Sequence, residues 1–409
     1  MPSRDIERIE RTQRALGEAQ VDGVICTLPI YVLLLTGYWP VVGTSVAIAT
    51  RSGEVQLLAP EDERDLAQKS WADKVHYFDP ASLDELRSAE DAIRDPLRDA
   101  MRSLKLEHGR LGYEHGPASE PSSYAAMNLY GTSILDIYRE VIPGATFLPL
   151  DDVLARLSAV KTPTEVNAIQ RTCSIAERAF WRGTGRIQPG MSEIEVAGVF
   201  RMYLGLEGAG VKEVERCDGF AFCMSGPNSA KAYGAYARSR DRKISRSDLL
   251  LVHCNSYADG YWSDITRTYC LTRIDEKKER MYEAVLQARK AAIGEIRPGA
   301  RAAEVDRAAR ETLTERDFGK EFRHATGHGV GFSAISHNAR PRLHPRSPET
   351  LETGMVFNVE PAIYIEGFGG IRHCDVVAVT PQGADVLTPF QSSITDLVLD
   401  GSYSGRHAA

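Results

Sequence analysis

Several features are missing from this 409-residue sequence, and each absence narrows its class. No apolar run reaches the roughly 18 residues that a membrane helix requires, so no membrane partner is expected. No long basic block or arginine-rich face occurs, and the net charge of −7 is spread over interspersed signs. That pattern argues against nucleic acid as a partner. There is no C-x-x-C pair: the cysteines (Cys26, Cys173, Cys217, Cys223, Cys254, Cys270 and Cys374) are odd in number and scattered. They read as free thiols rather than a disulfide framework. Internal repeats and low-complexity segments are also absent. Met1-Pro2-Ser3-Arg4-Asp5 leads into a polar helical pattern with no signal-peptide core, so the expectation is a soluble, cytoplasmic protein.

What is present points to packed domains. An apolar fraction of 43% is ample for a core and excludes wholesale disorder. The length exceeds one ordinary domain. Residues 5–19 carry Ile6, Ile9 and Leu16 at helical spacing. Short apolar runs follow at Val21–Cys26, Ser45–Thr50 and Val55–Ala59, then helix-like stretches at 82–104 and 119–131. This alternation predicts a small α/β domain over residues 1–155. The junction contains Lys161-Thr162-Pro163-Thr164-Glu165, where Thr164 is a candidate helix cap. Beyond it, helices are predicted at 164–186, 192–206, 275–295 and 301–316. Strands are predicted at Phe220–Met224, Asp248–His253, Met355–Glu360 and Asp375–Thr380. The second domain, 156–400, therefore reads as α+β, with a flexible tail at 401–409.

Candidate metal ligands lie at or beside predicted strands of that second half: His253, Asp264, His328, Glu360 and Cys374. Each is a residue type that binds divalent cations. Their flanks carry a resemblance. Five motifs occur in order: Ser225-Gly226-Pro227-Asn228-Ser229-Ala230, Gly260-Tyr261 through Thr268, His324-Ala325-Thr326-Gly327-His328-Gly329-Val330-Gly331, Gly354-Met355-Val356-Phe357-Asn358-Val359-Glu360-Pro361, and Gly370-Ile371-Arg372 before Asp375. Together they resemble the pita-bread metallopeptidases: prolidase, Xaa-Pro aminopeptidase and methionine aminopeptidase, with creatinase as a non-peptidase cousin. The N-terminal half, with Leu35-Thr36-Gly37-Tyr38, resembles the smaller α/β domain of the prolidase and creatinase branch.

The resemblance implies that Asp264 bridges, that His328 is the imidazole ligand, and that Glu360 is a ligand that also moves protons. It places His324 near a substrate and implies a homodimer acting on a small peptide or amide. Departures accompany it. The first aspartate of the pattern falls at His253 and the last glutamate at Cys374. A histidine expected after the asparagine-serine motif falls at Tyr233, and a later one is displaced from Ile335 to His337.

Two dications a few ångströms apart need shared carboxylates to offset their repulsion, and an imidazole cannot bridge them. Asp264, His328 and Glu360 still suffice for one divalent transition metal (Zn, Fe, Mn or Co) with an open position for water. Softer donors at His253 and Cys374 would favour Zn²⁺ or Fe²⁺ over Mn²⁺. Three readings stay open. One is a mononuclear hydrolase, with His324, His337 and Tyr233 assisting Glu360. Another is a metal-independent C–N hydrolase of a small molecule, as in creatinase. The third is an inactive binding protein on the same fold.

Overall fold

Along the strands of the N-terminal half, successive apolar side chains go to opposite faces of one sheet. Val24, Ala47, Ala49, Val55 and Leu57 join one buried cluster, while Ile25, Val46, Ile48 and Leu58 join another. The computed structural model describes residues 4–41, 44–80, 88–115, 133–211, 213–233, 238–272, 274–334 and 339–399. The chain divides into two compact units, residues 1–158 and 159–409.

The first unit runs α1 (Ile6–Glu18), β1 (Gly23–Cys26), α2 (Pro29–Thr36), β2 (Val46–Thr50), β3 (Val55–Pro60), α3 (Arg64–Ala67), β4 (Lys74–Phe78), α4 (Ala89–Ser103), β5 (Arg110–Tyr113), α5 (Ser133–Val141), β6 (Thr146–Pro149) and α6 (Asp151–Ala159). Its six strands form one mixed sheet in the order β4-β3-β2-β1-β5-β6. Leu97 of α4 and Tyr138 of α5 pack in one cluster; Leu16 of α1, Val32 of α2 and Leu154 of α6 pack in the other. The sheet is thus a middle layer between helices. The predicted helix at 119–131 lies outside the described residues, as does the tail at 401–409. Residues 133–141, which the periodicity did not single out, form α5.

The second unit opens with α7 (Pro163–Thr184) and α8 (Glu193–Leu206), continues through β7 (Cys217–Ser225), β8 (Leu249–Ala258) and β9 (Tyr261–Cys270), then α9 (Glu276–Gly294) and α10 (Ala302–Glu315). Short strands follow: β10 (Gly327–His328), β11 (Arg342–Leu343), β12 (Val356–Val359), β13 (Ala362–Ile365), β14 (Gly369–Arg372), β15 (Asp375–Thr380) and β16 (Gly383–Val386), with α11 (Ile394–Leu397) last. The cap of α7 is Thr162, not Thr164. Its side chain accepts from Glu165 N, and Thr162 N donates to Glu165 Oε2. Pro163, whose fixed φ suits the first helical position, starts the helix one residue before the predicted 164.

β7, β8 and β9 form an antiparallel meander, and β12, β15 and β16 form a second sheet. An isolated bridge between Thr266 and Cys374 ties the two together, and another joins Gly329 to Phe357. Among the described residues no helix is long and apolar enough to cross a membrane.

Arg267, three residues beyond Asp264 on β9, does not pair with that carboxylate. Side chains alternate along β9, so Arg267 leaves the strand on the face opposite Asp264. It is fully buried and donates to Asp375 Oδ1 at 2.6 Å, Cys374 O at 2.6 Å and Thr388 O at 2.8 Å. Arg289 pairs with the other Asp375 oxygen. Burial alone would raise the Asp375 carboxyl, but Arg267, His373 and Arg289 outweigh it and hold it well below the usual range. Replacing Asp375→Ala strands a buried guanidinium. The expected cost is about 3–5 kcal/mol at pH 7 by urea denaturation; a loss under about 1 kcal/mol would contradict the account.

Candidate metal centre

The Asp259-Gly260 dipeptide turns β8 into β9. Both residues have positive φ, 48° and 86°, and Ala258 pairs with Tyr261 across a two-residue turn. Such a turn fixes register. His253 therefore stands opposite Thr266 and Asn255 opposite Asp264. His253 and Asp264 become diagonal neighbours on one face. His253 Nδ1 lies 3.0 Å from Thr266 Oγ1 and 3.5 Å from Asp264 Oδ1. Burial first, then Arg372, lowers the His253 pKa well below its usual value. The 3.5 Å approach is therefore made by a neutral ring and is not an ion pair.

β10 brings His328 to the same place. Its Nδ1 donates to Gly329 O at 3.1 Å, so Nε2 carries the lone pair. That nitrogen faces Asp264 Oδ2 at 3.5 Å. Asn358 on β12, fully buried, organises the pair: its Oδ1 accepts from His328 N at 2.7 Å and its Nδ2 donates to Asp264 Oδ2 at 3.1 Å. The same Nδ2 lies 3.2 Å from His328 Nε2. Sequence reasoning missed Asn358, although it precedes Glu360 by two residues in the predicted strand Met355–Glu360, where period two puts both on one face.

Glu360 follows β12, and its Oε2 lies 3.7 Å from Arg372 Nε. Arg372 also donates from Nε to Thr266 Oγ1 at 3.0 Å and from Nη1 to Ala232 O at 3.1 Å. Cys374 completes the group. Its Sγ donates to Asp264 O at 3.2 Å and lies 3.9 Å from Asp264 Oδ1. Burial, then Asp264 and Glu360, raises the Cys374 thiol well above its usual pKa, so it stays protonated at neutral pH.

His324 donates from Nδ1 to Ala325 O at 2.8 Å, leaving Nε2 to accept the Tyr364 hydroxyl at 3.0 Å. In this arrangement the ring is held between the Ala325 carbonyl and the Tyr364 hydroxyl. Tyr364 was not singled out from the sequence; it follows Ala362 on β13 at period two. Tyr233 packs against Tyr364 at 5.9 Å, lies under the Arg323 guanidinium at 5.1 Å, and is 39% exposed. His337 and Ile335 lie outside the described residues.

Among the described residues, no three His, Cys, Asp or Glu side chains are assembled as a ready ligand set. A pair is. Ligand bonds of about 2.0–2.2 Å in tetrahedral geometry hold two donors about 3.4 Å apart. Asp264 Oδ2 and His328 Nε2 stand 3.5 Å apart, with the correct His328 nitrogen presented. Burial first, and the Glu360 charge second, pushes Asp264 up to about 7. A dication is the counter-charge that two such carboxylates lack, and by this chemistry the donors fit one.

Residues 167–381 match metallopeptidase family M24. The chain belongs to this family. The match makes it a metallohydrolase and implies a divalent metal cofactor. The pita-bread ancestry and the expected α+β fold, a pita-bread domain preceded by a smaller α/β domain, are borne out. The chain is 30% identical over 382 residues to the Xaa-Pro dipeptidase of Pyrococcus furiosus, spanning 93% of this chain and 97% of that one. Among solved structures it is similar to an Xaa-Pro dipeptidase from Bacillus anthracis, with TM-score 0.75, 27% identity and coverage of 94% and 97%. It is also similar to the prolidase from Pyrococcus furiosus, with TM-score 0.70, 30% identity and coverage of 92% and 98%.

The Asp264 shift has a consequence for stability in the absence of metal. Its folded pKa lies above the usual 3.8, at about 7, so the folded state holds the extra proton between these values. Stability then falls as pH rises through that window and levels off above it. Asp264→Asn removes this penalty. The variant is expected to unfold at higher urea than the metal-free parent at pH 8, with the gain shrinking toward pH 4. A gain that grew toward acid would contradict the assignment.

Proposed function

We propose that this chain hydrolyses small peptides of the Xaa-Pro type, using one divalent cation held by Asp264, His328 and Glu360. The named relatives support the substrate class. The observation that carries the single-cation reading is the Asp264–His328 pair, 3.5 Å apart, beside two positions that no longer supply carboxylates. When bound, the cation supplies a water of lowered pKa and an electrophile for the scissile carbonyl.

The remaining work falls to side chains. Gly329 O and Asn358 hold His328 with Nε2 toward the site. Glu360 takes the proton of the attacking water and returns it to the leaving nitrogen. Arg372, 3.7 Å away, keeps that carboxylate oriented. Tyr233, 39% exposed, offers a hydroxyl to the substrate. His253 and Cys374 bring no negative charge, so the repulsion of a second dication stays uncompensated.

A second reading has one observation in its favour. The Asn358 Nδ2 lies 3.1 Å from Asp264 Oδ2 and 3.2 Å from His328 Nε2, tying the two donors to each other. On that reading the site hydrolyses a C–N bond of a small polar molecule by acid–base chemistry alone, through His253, Glu360 and the neighbouring histidines.

Metal analysis of protein purified without chelator, together with turnover of an alanyl-proline dipeptide, separates the two. The expectation is about one metal per chain and turnover that chelation abolishes and metal restores. Full turnover of metal-depleted protein would establish the second reading. Asn358→Ala is expected to weaken metal affinity about 10–100-fold, as loss of an orienting partner does. Tighter binding in that variant would show instead that the amide competes with the cation.

A further inference from the structure

His253 occupies the position where the family pattern places an aspartate, and its surroundings assign it a different task. The ring lies on β8, 6% exposed, opposite Thr266 on β9 and Phe222 on β7. Phe222 covers one face, with ring centroids 6.3 Å apart and an interplanar angle of 19°. The Thr266 hydroxyl oxygen lies 3.0 Å from His253 Nδ1 and also accepts from Arg372 Nε at 3.0 Å. A guanidinium can only donate. The oxygen therefore receives the Arg372 proton, and its own hydrogen is available to Nδ1.

The geometry then excludes ligation on the side that matters. The ring nitrogen that approaches Asp264 is Nδ1, 3.5 Å from Oδ1, and it is the atom already engaged by Thr266. His328 is the contrast: its Nδ1 is satisfied by Gly329 O and its Nε2 is turned to Asp264. An aspartate at position 253 would compete with Glu360 for Arg372. An imidazole brings no carboxylate there, and Arg372 faces Glu360 at 3.7 Å.

We infer that His253 is a hydrogen-bonded positioning residue and not a metal ligand: it braces the Thr266 hydroxyl and, through it, the Arg372 that faces Glu360. The inference rests on the single-cation reading for its setting, and its test separates the two.

The probe is Co²⁺ alone, added to protein with ¹⁵N-labelled histidine and followed by NMR. A ligating imidazole gives a strongly shifted ring N–H signal. One such signal is expected; it persists in His253→Asn and disappears in His328→Asn. A shifted signal that disappears in His253→Asn overturns the inference. No binding of Co²⁺ to the native chain overturns the single-cation reading instead. The metal-free spectrum then decides about His253: Thr266→Val must move its ring ¹⁵N signals, and unmoved signals overturn the inference. Turnover gives a further arm. His253→Leu is expected to lower kcat about tenfold with Co²⁺ affinity kept within about threefold, and His253→Asn, which retains a polar atom at the δ position, to recover part of that loss. A loss of Co²⁺ affinity in His253→Leu that matches the loss of kcat overturns it.

Discussion

Two carboxylates, Asp264 and Glu360, share a nearly dry strand surface with one guanidinium, Arg372, and the site follows from how that charge is balanced. Arg372 sits 3.7 Å from Glu360, while Asp264 is pushed up to about 7 by burial and by Glu360. Buried charges of one sign without a full counter-charge are costly, and a divalent cation is the economical remedy. The surrounding hydrogen bonds make sense in that light. Asn358 holds Asp264 to His328, Gly329 O sets the His328 ring, and Thr266 ties Arg372 to His253.

The same balance explains why the scaffold tolerates its departures. The Cys374 thiol keeps its proton and donates it to the Asp264 carbonyl, so this position adds no charge. His253 is neutral and satisfied by a hydroxyl. On the other face of β9, Arg267 and Asp375 anchor the strand through an ion pair that involves neither altered side chain. The strand that carries Asp264 is therefore held from behind while its front has changed.

Much of this was legible in the sequence. Long helices such as α7 and α9 announced themselves by period, and five motifs in order carried the ancestry. What failed to show had physical reasons. Thr164 looked like the cap because it follows Pro163, but proline belongs inside the first turn, which makes Thr162 the cap. Gly260 opened one of the family-like motifs and, with Asp259, is also the hairpin turn that sets the register of His253 against Thr266. Strand parity would have separated Arg267 from Asp264 and joined Thr266 to it. The same rule would have flagged Asn358 beside Glu360. The engagement of His253 was beyond such rules, since it depends on Arg372, which arrives from a hairpin far along the chain.

Anomalous diffraction from crystals grown with saturating Zn²⁺, recorded at the zinc edge, tests the central claim most directly. The account predicts one peak per chain, within about 2.0–2.2 Å of Asp264 and His328. Two peaks between these side chains, or one peak bonded to His253 Nδ1, would contradict it.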